Sequence, residues 1–304
     1  MIGRLAGGVA VLAVLAGGAF WMLTQPASLS DETLAALSAH DADAQAGEAV
    51  FWAAGCASCH SAPDLAPGAA PEARMVLTGG RSFPSDFGTF YAPNISPDPE
   101  HGIGDWTLPQ FAHAVMQGVS PEGAHYYPAF PYTTYIHATP GDIADLWAFW
   151  QTLPADATPS RAHDVGFPFS FRRGLGLWKR FNLHDDYATP TFDDAELARG
   201  QYLVEALGHC AECHTPRDAL GGLERGQWLA GAPNPAGEGR IPALPPEGWS
   251  AFDIAAYLET GFTPEFDTAG GEMADVIDNM SRIAAPDRAA IAAYLVALRS
   301  SPNP

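Results

Sequence analysis

Two five-residue segments stand out for the chemistry their side chains could do: Cys56-Ala57-Ser58-Cys59-His60 and Cys210-Ala211-Glu212-Cys213-His214. Both read Cys-x-x-Cys-His, the attachment pattern of c-type haem. Thiols at i and i+3 fall on one side of a helical turn and can add across the two vinyl groups of a porphyrin. The His that follows is placed to offer its imidazole to the iron as proximal ligand. Together the motifs use all four cysteines of the chain. A zinc site would need further ligands to close a tetrahedron, and a thioredoxin-like redox pair has no need of the His. The sequence therefore predicts two covalently bound haem c groups, attached through Cys56, Cys59, Cys210 and Cys213, with His60 and His214 on the irons.

An iron held only by its His is open, whereas a Met thioether closes it and raises its potential. In small c-type domains that Met lies on the loop before the closing helix. The second half offers Met273 and Met280, fourteen and seven residues before Asp287. Met273 is the favoured ligand and Met280 a core residue, with the reverse assignment as the alternative. The first half has no methionine between Gly118 and Pro154. Its candidates are His137 and then His125, or an iron left open; Met116 reads as a core or surface residue of the middle helix. Arg81 and Arg240 are candidates to pair haem propionates, since a buried carboxylate needs a charged or hydrogen-bonding partner.

The elements that would position these residues occur twice. Thr107-Leu108-Pro109-Gln110 reads as a capping box opening a helix with Phe111 and Val115 inward and Gly118 at its end. Ser250 and Asp253 repeat the pattern before Ile254, Tyr257 and Leu258, with Gly261 as the stop. Each half then closes on a helix. Thr139-Pro140-Gly141-Asp142 opens the first, with Ile143, Leu146, Trp147 and Trp150 on one stripe; Pro286-Asp287 opens the second, with Ile291, Tyr294, Leu295 and Leu298. The expected fold class is all-α, with two tandem cytochrome c-like domains over 41–153 and 192–304. Each has an opening helix carrying the haem motif, a long ordered loop, a middle helix and a closing helix.

At 304 residues and 47% apolar composition the chain has the material for two cores and is not disordered. Its net charge of −20 repels phosphate backbones, which excludes nucleic acid as a partner. Before the first domain, Leu5 to Leu23 is an uncharged run preceded by Arg4 and closed by Phe20 and Trp21. As a helix it would extend ~28 Å, close to a bilayer's hydrocarbon thickness. Residues 1–28 are read as a single N-terminal transmembrane anchor that leaves the globular part in the periplasm, with a cleaved signal peptide as the alternative. Pro26 to Ala46 reads as a juxtamembrane spacer. Between the domains, 154–191 is a basic and aromatic linker carrying Arg161, Arg172, Arg173, Lys179 and Arg180. It reads as a strap packing apolar side chains against the domains, with lipid headgroups or a partner protein as sharper alternatives.

The segments Gly79-Gly80-Arg81-Ser82-Phe83, Phe87 through Ser96, His125-Tyr126-Tyr127-Pro128-Ala129-Phe130-Pro131-Tyr132 and Gly239-Arg240-Ile241-Pro242 add a resemblance. With the two haem motifs, they resemble the cytochrome c subunits of membrane-bound alcohol, gluconate and fructose dehydrogenases, over nearly all of residues 45–299. The resemblance implies electron transfer from a periplasmic dehydrogenase subunit to the respiratory chain. Members of that family typically carry three haems; this chain has motifs for two. Relatives often hold a Met at the place of Phe130, or slightly later, where this chain has Ala138. The leading function is thus a membrane-anchored dihaem electron carrier with no substrate chemistry of its own. Its donor would be a dehydrogenase subunit or cytochrome, and its acceptor a cytochrome, quinone pathway or oxidase. The competing class is a dihaem redox enzyme, peroxidase-like or thiosulfate-dehydrogenase-like, working at an open or His-ligated first haem.

Overall fold

In the computed structural model, residues 2–66, 68–235, 237 and 239–300 are described, without the side chains of residues 2–6 and 300. The Arg4 side chain that would orient the first helix lies outside them. The chain opens with α1 (Ile2–Leu23). Val9, Leu12, Val14, Leu15 and Met22 on it are exposed. Among the described residues no helix is long and apolar enough to cross a membrane.

The segment after α1 is not a free spacer. Ser30 caps α2 (Asp31–Ala39) by accepting from the Thr33 backbone N–H, and Asp31 and Glu32 fill the first turn, where the helix dipole favours negative charge. Leu37 is buried at 2% exposure, and His40 Nε2 bonds Asp145 Oδ1 at 2.7 Å. That one apolar anchor and one partly buried polar pair pin the segment to the first half.

The first half then builds α3 (Ala44–Ala53), the short turn α4 (Cys56–His60), α5 (Pro71–Arg74), α6 (Leu108–Gln117), α7 (Tyr132–Tyr135) and α8 (Pro140–Trp150). The second half builds α10 (Ala195–Tyr202), a wide turn over Leu203–Leu207, α11 (Ala211–His214), α12 (Ala251–Thr260), α13 (Glu272–Met280) and α14 (Ala285–Ser300). Between them lies α9 (Leu175–Asn182). Both expected capping boxes are present, Thr107 with Gln110 and Ser250 with Asp253, and Gly118 and Gly261 end their helices in the left-handed conformation.

In each half the opening helix crosses the closing helix at a glycine. A Cβ on Gly47 would stand 2.0 Å from the Asp145 carbonyl oxygen, and one on Gly200 would stand 2.0 Å from that of Ala290. Side-chain-free crossings let the backbones approach, and around them pack Phe51, Phe149 and Trp150 in one half and Ala292, Tyr294 and Leu295 in the other.

Two expectations need correction. The fold is mainly helical, but the long loops hold small sheets. β1 (Ser82–Ser85) and β2 (Gly88–Tyr91) form a hairpin, and β3 (Asp164–Val165), from the linker, pairs with β2. β4 (Ala232–Pro233) pairs with β5 (Arg240–Ile241) in the second half. The opening helices also stop before the haem motifs. Gly55, at φ 66°, breaks α3 from α4, and the wide turn Leu203–Leu207 with His209, at φ 41°, breaks α10 from α11. Both breaks re-aim the cysteines, which a continuous helix would carry past the site.

Candidate haem centres

The two Cys-x-x-Cys-His turns are held by the same clamp. His60 Nδ1 lies 2.9 Å from the Pro93 carbonyl oxygen, and His214 Nδ1 lies 2.7 Å from that of Pro242. Each His carbonyl oxygen in turn accepts at 2.7 Å from a glycine N–H, Gly79 for His60 and Gly231 for His214. Those glycines have φ of 70° and 80° and press on the same prolines. A Cβ on Gly79 would lie 2.4 Å from the Pro93 carbonyl, and one on Gly231 would lie 3.0 Å from the carbonyl carbon of Pro242. A bond at Nδ1 fixes the tautomer and ring plane and leaves Nε2 as the free lone pair, the arrangement a metal-ligating His needs.

Electrostatics point the same way. Burial lowers the His60 pKa to about 4 and also lowers that of His214, so both imidazoles are neutral at pH 7, the form that binds a metal. Burial pushes the thiols of Cys56 and Cys210 up to about 12 and that of Cys59 to about 11. A redox pair of the thioredoxin type needs a lowered thiol, so these cysteines suit attachment rather than disulfide exchange. All four are free of disulfides. Paired thiols on one turn, with a neutral, tautomer-fixed His beside them, fit haem c at both places.

The two turns also hold each other. Ser58, inside the first motif, faces α13 of the second half: its Oγ donates to the Asp275 carbonyl at 3.4 Å and accepts from Asn279 Nδ2. Glu212, at the same place in the second motif, accepts from Thr133 Oγ1 on α7 of the first half at 2.8 Å. Tyr135 Oη, also on α7, donates to the Ala54 carbonyl at 2.6 Å, just before the first motif. The His209 ring packs edge-on against Tyr135 at 5.9 Å and bonds the Ala54 backbone. Each motif is thus braced by the helix that precedes the closing helix of the other half.

The remaining candidates fall as follows. Met273 sits half-buried in the first turn of α13 and packs against the core, whereas Met280 ends α13 at 4% exposure. His125 is buried, its Nε2 bonded to the Thr24 carbonyl at 2.9 Å, with Nδ1 unpartnered. His137 packs against Tyr187 at 4.9 Å in a small cavity shared with His184, Asp186 and Arg225. Phe130 and Ala138 both pack into the core. Arg81 donates to the Ser58 carbonyl at 2.6 Å, Asp275 at 2.7 Å and Glu272 at 2.7 Å, which ties the first motif to α13. Arg74, itself buried, pairs with Asp278 and Asp275 on the same helix. Arg240 donates to the Gly231 carbonyl at 3.5 Å. Sequence reasoning missed the prolines and glycines of the clamp, although Gly79, Pro93 and Pro242 sit in segments that carry the resemblance, and it missed His209 and Asn279.

These features define a c-type cytochrome. The cytochrome c family profile matches residues 44–154. The chain is 51% identical over 286 residues, 93% of its length, to a "Diheme cytochrome c-type" protein of Cereibacter sphaeroides, of which it covers 94%. It is 38% identical over 276 residues to the "Fructose dehydrogenase cytochrome subunit" of Gluconobacter japonicus, across 87% of this chain and 54% of that one. To the "Alcohol dehydrogenase (quinone), cytochrome c subunit" of Gluconobacter oxydans it is 35% identical over 277 residues, across 84% and 55%. The chain spans about half the length of those two dehydrogenase subunits. It belongs to the dihaem c-type cytochromes and carries two covalently bound haem c groups.

Proposed function

We propose that the chain is an exported electron carrier built from two tandem cytochrome c domains, 41–153 and 192–304. It accepts electrons from a dehydrogenase subunit or another donor and delivers them to a cytochrome, quinone pathway or oxidase of the respiratory chain. The observation that carries this reading is the duplicated clamp, in which His60 and His214 are fixed by Pro93 and Pro242 in the same way. The fructose and alcohol dehydrogenase cytochrome subunits among the relatives supply the donor class. The run Leu5–Leu23 and the exposed apolar side chains of α1 support an N-terminal anchor, with the domains in the periplasm.

In this reading Cys56, Cys59, Cys210 and Cys213 form the thioethers, and His60 and His214 are the proximal ligands. When bound, the haem irons supply reversible one-electron exchange. Met273 offers the sixth ligand of the second centre from the start of α13. The bracing of each motif by the opposite half holds the two attachment turns at a fixed separation. The net charge of −20 steers basic partners at a rate that falls with added salt.

A second reading, redox enzymology at the first centre, draws on the lack of a methionine between Gly118 and Pro154 and on His125 Nε2 being engaged by Thr24. Carbon monoxide distinguishes the two: inertness of the reduced first haem supports the carrier, and fast binding supports the enzyme. The carrier reading itself is tested in membranes of a strain lacking the chain. Dehydrogenase-driven oxygen uptake should fall and be restored by the wild type but not by the Cys210→Ser/Cys213→Ser variant. Undiminished uptake in the deletion strain contradicts it.

A further inference from the structure

The end of α1 is not loosely tethered; a collar from the linker grips it. Thr24 is fully buried, and Gly176 of α9 packs so closely that a Cβ there would lie 2.6 Å from the Thr24 Cα. Arg173 donates to the Trp21 carbonyl at 2.6 Å and to Thr24 Oγ1 at 2.9 Å, with its guanidinium 4.1 Å from the Trp21 ring centroid. Arg180 donates to the Leu23 carbonyl at 2.8 Å. Phe171 stacks on Phe20 at 6.0 Å. The last carbonyls of α1 thus receive cationic donors, which also oppose the negative end of the helix dipole.

The outer side of this collar is unusual for so acidic a chain. From Gly166 to Leu183 there are four cationic residues and no acidic one. Phe167 is 87% exposed and Phe181 75%, with Phe169, Phe171 and Trp21 also exposed. Stacking of Phe171 on Phe20, and the bond from Arg180 to Leu23, set Phe171 and the Arg180–Phe181 end of the strap at the level of the last turn of α1. Aromatic rings interleaved with arginines, continuous with the exposed apolar side chains of α1, have the chemistry of a membrane interface belt.

We propose that the 167–181 strap, with Trp21, is a lipid-contacting belt. In it Phe167, Phe171 and Phe181 enter the headgroup boundary and Arg173 and Arg180 face anionic headgroups, so that the two haem domains are held at one fixed tilt to the bilayer. The inference rests on the reading of α1 as an anchor. A rigid collar and a wetted belt together convert a single helix into an orienting device, because rotation about the anchor would withdraw the rings from lipid. The four native cysteine sulfurs are tied up in thioethers in the holoprotein, so one added cysteine is the only free thiol.

The test uses full-length holoprotein carrying Phe167→Cys, Phe181→Cys, or the equally exposed controls Phe252→Cys and Phe266→Cys, each spin-labelled and mixed with vesicles containing phosphatidylglycerol. Flotation first reports vesicle binding. Collisions with oxygen and with a water-soluble nickel chelate then report the depth of each label. The belt predicts a several-fold loss of nickel collisions at 167 and 181, weaker in neutral vesicles, and none at 252 or 266. A protein that floats while labels 167 and 181 stay in water overturns the belt, leaves the anchor standing and assigns the strip to a protein partner. A protein that stays in the aqueous fraction contradicts the anchor and the belt together.

Discussion

Gly55 and His209, the residues immediately before the two haem motifs, meet face to face: a methyl group on Gly55 would stand 3.1 Å from the Nε2 of His209. Both have positive φ, 66° and 41°. For glycine this conformation is free, and for histidine it is held by the Ala54 bond and the Tyr135 ring. Gly55→Ala therefore incurs left-handed strain and crowds the His209 ring. The expected loss of stability is about 1–2 kcal/mol, read from denaturant midpoints of the holoprotein. His209→Asn, which tolerates the left-handed region, should cost less than His209→Val. Equal midpoints for these two variants would show that the backbone at 209 is not strained.

The helix crossings at Gly47 and Gly200 should be equally intolerant of substitution, because an added Cβ would meet a carbonyl oxygen at 2.0 Å in both. Gly47→Ala and Gly200→Ala should each destabilise the protein by at least about 1–3 kcal/mol through overpacking. A thermal melt showing no change for either would contradict the packing described.

Arg74 is the buried tie between the first motif's neighbourhood and α13. It is 3% exposed, while the side chains of Asp275 and Asp278 are about a quarter exposed. Arg74→Met should cost about 1–3 kcal/mol, less than a fully buried pair because water still reaches the carboxylates. Hydrogen exchange should quicken selectively along α13. Unchanged protection there would remove Arg74 from the bracing.

Behind the second motif, Glu205 accepts from Thr189 Oγ1 at 2.6 Å, from the Ala188 N–H at 3.1 Å and from Tyr294 Oη. Burial outweighs these bonds and raises its pKa above the ordinary 4.5. The folded state then holds the proton more tightly than the unfolded one, so this group's stabilising contribution is complete below pH 4.5 and declines as pH rises through the raised value. Glu205→Gln keeps the shape and removes that titration. Its stability profile should be flatter than the wild type's just above pH 4.5, and identical profiles would contradict the assignment.

The sixth ligand of the second centre separates two methionines. Met273→Leu should abolish the Met-to-iron charge-transfer band, and all of it, because no other Met is proposed as a ligand. Met280→Leu, a volume-conserving swap at a buried site, should keep the band and cost under about 1.5 kcal/mol. Loss of the band in Met280→Leu alone would reverse the assignment.

What the sequence made legible was local. Thr107 with Gln110, Ser250 with Asp253, and the stops at Gly118 and Gly261 are encoded within one helix each and stand where the spacing places them. The haem motifs are legible for the same reason. What stayed hidden depends on partners far along the chain. β3 contributes two residues from the linker to a hairpin some seventy-five positions earlier, a pairing no local pattern encodes. Pro93 and Pro242 act through carbonyl groups, which every residue has, so their types gave no sign of the clamp. The segment after α1 carried its own helix signal, Ser30 followed by Asp31 and Glu32, but its docking hangs on Leu37 and His40.

A spectroelectrochemical titration of the purified holoprotein, normalised to haem per polypeptide, tests the central claim most directly. Two c-type haems on duplicated clamps, one with a Met ligand and one without, predict two waves of equal amplitude, the more positive one lost from its place in Met273→Leu. A single wave, or fewer than two haems per chain, would contradict the account.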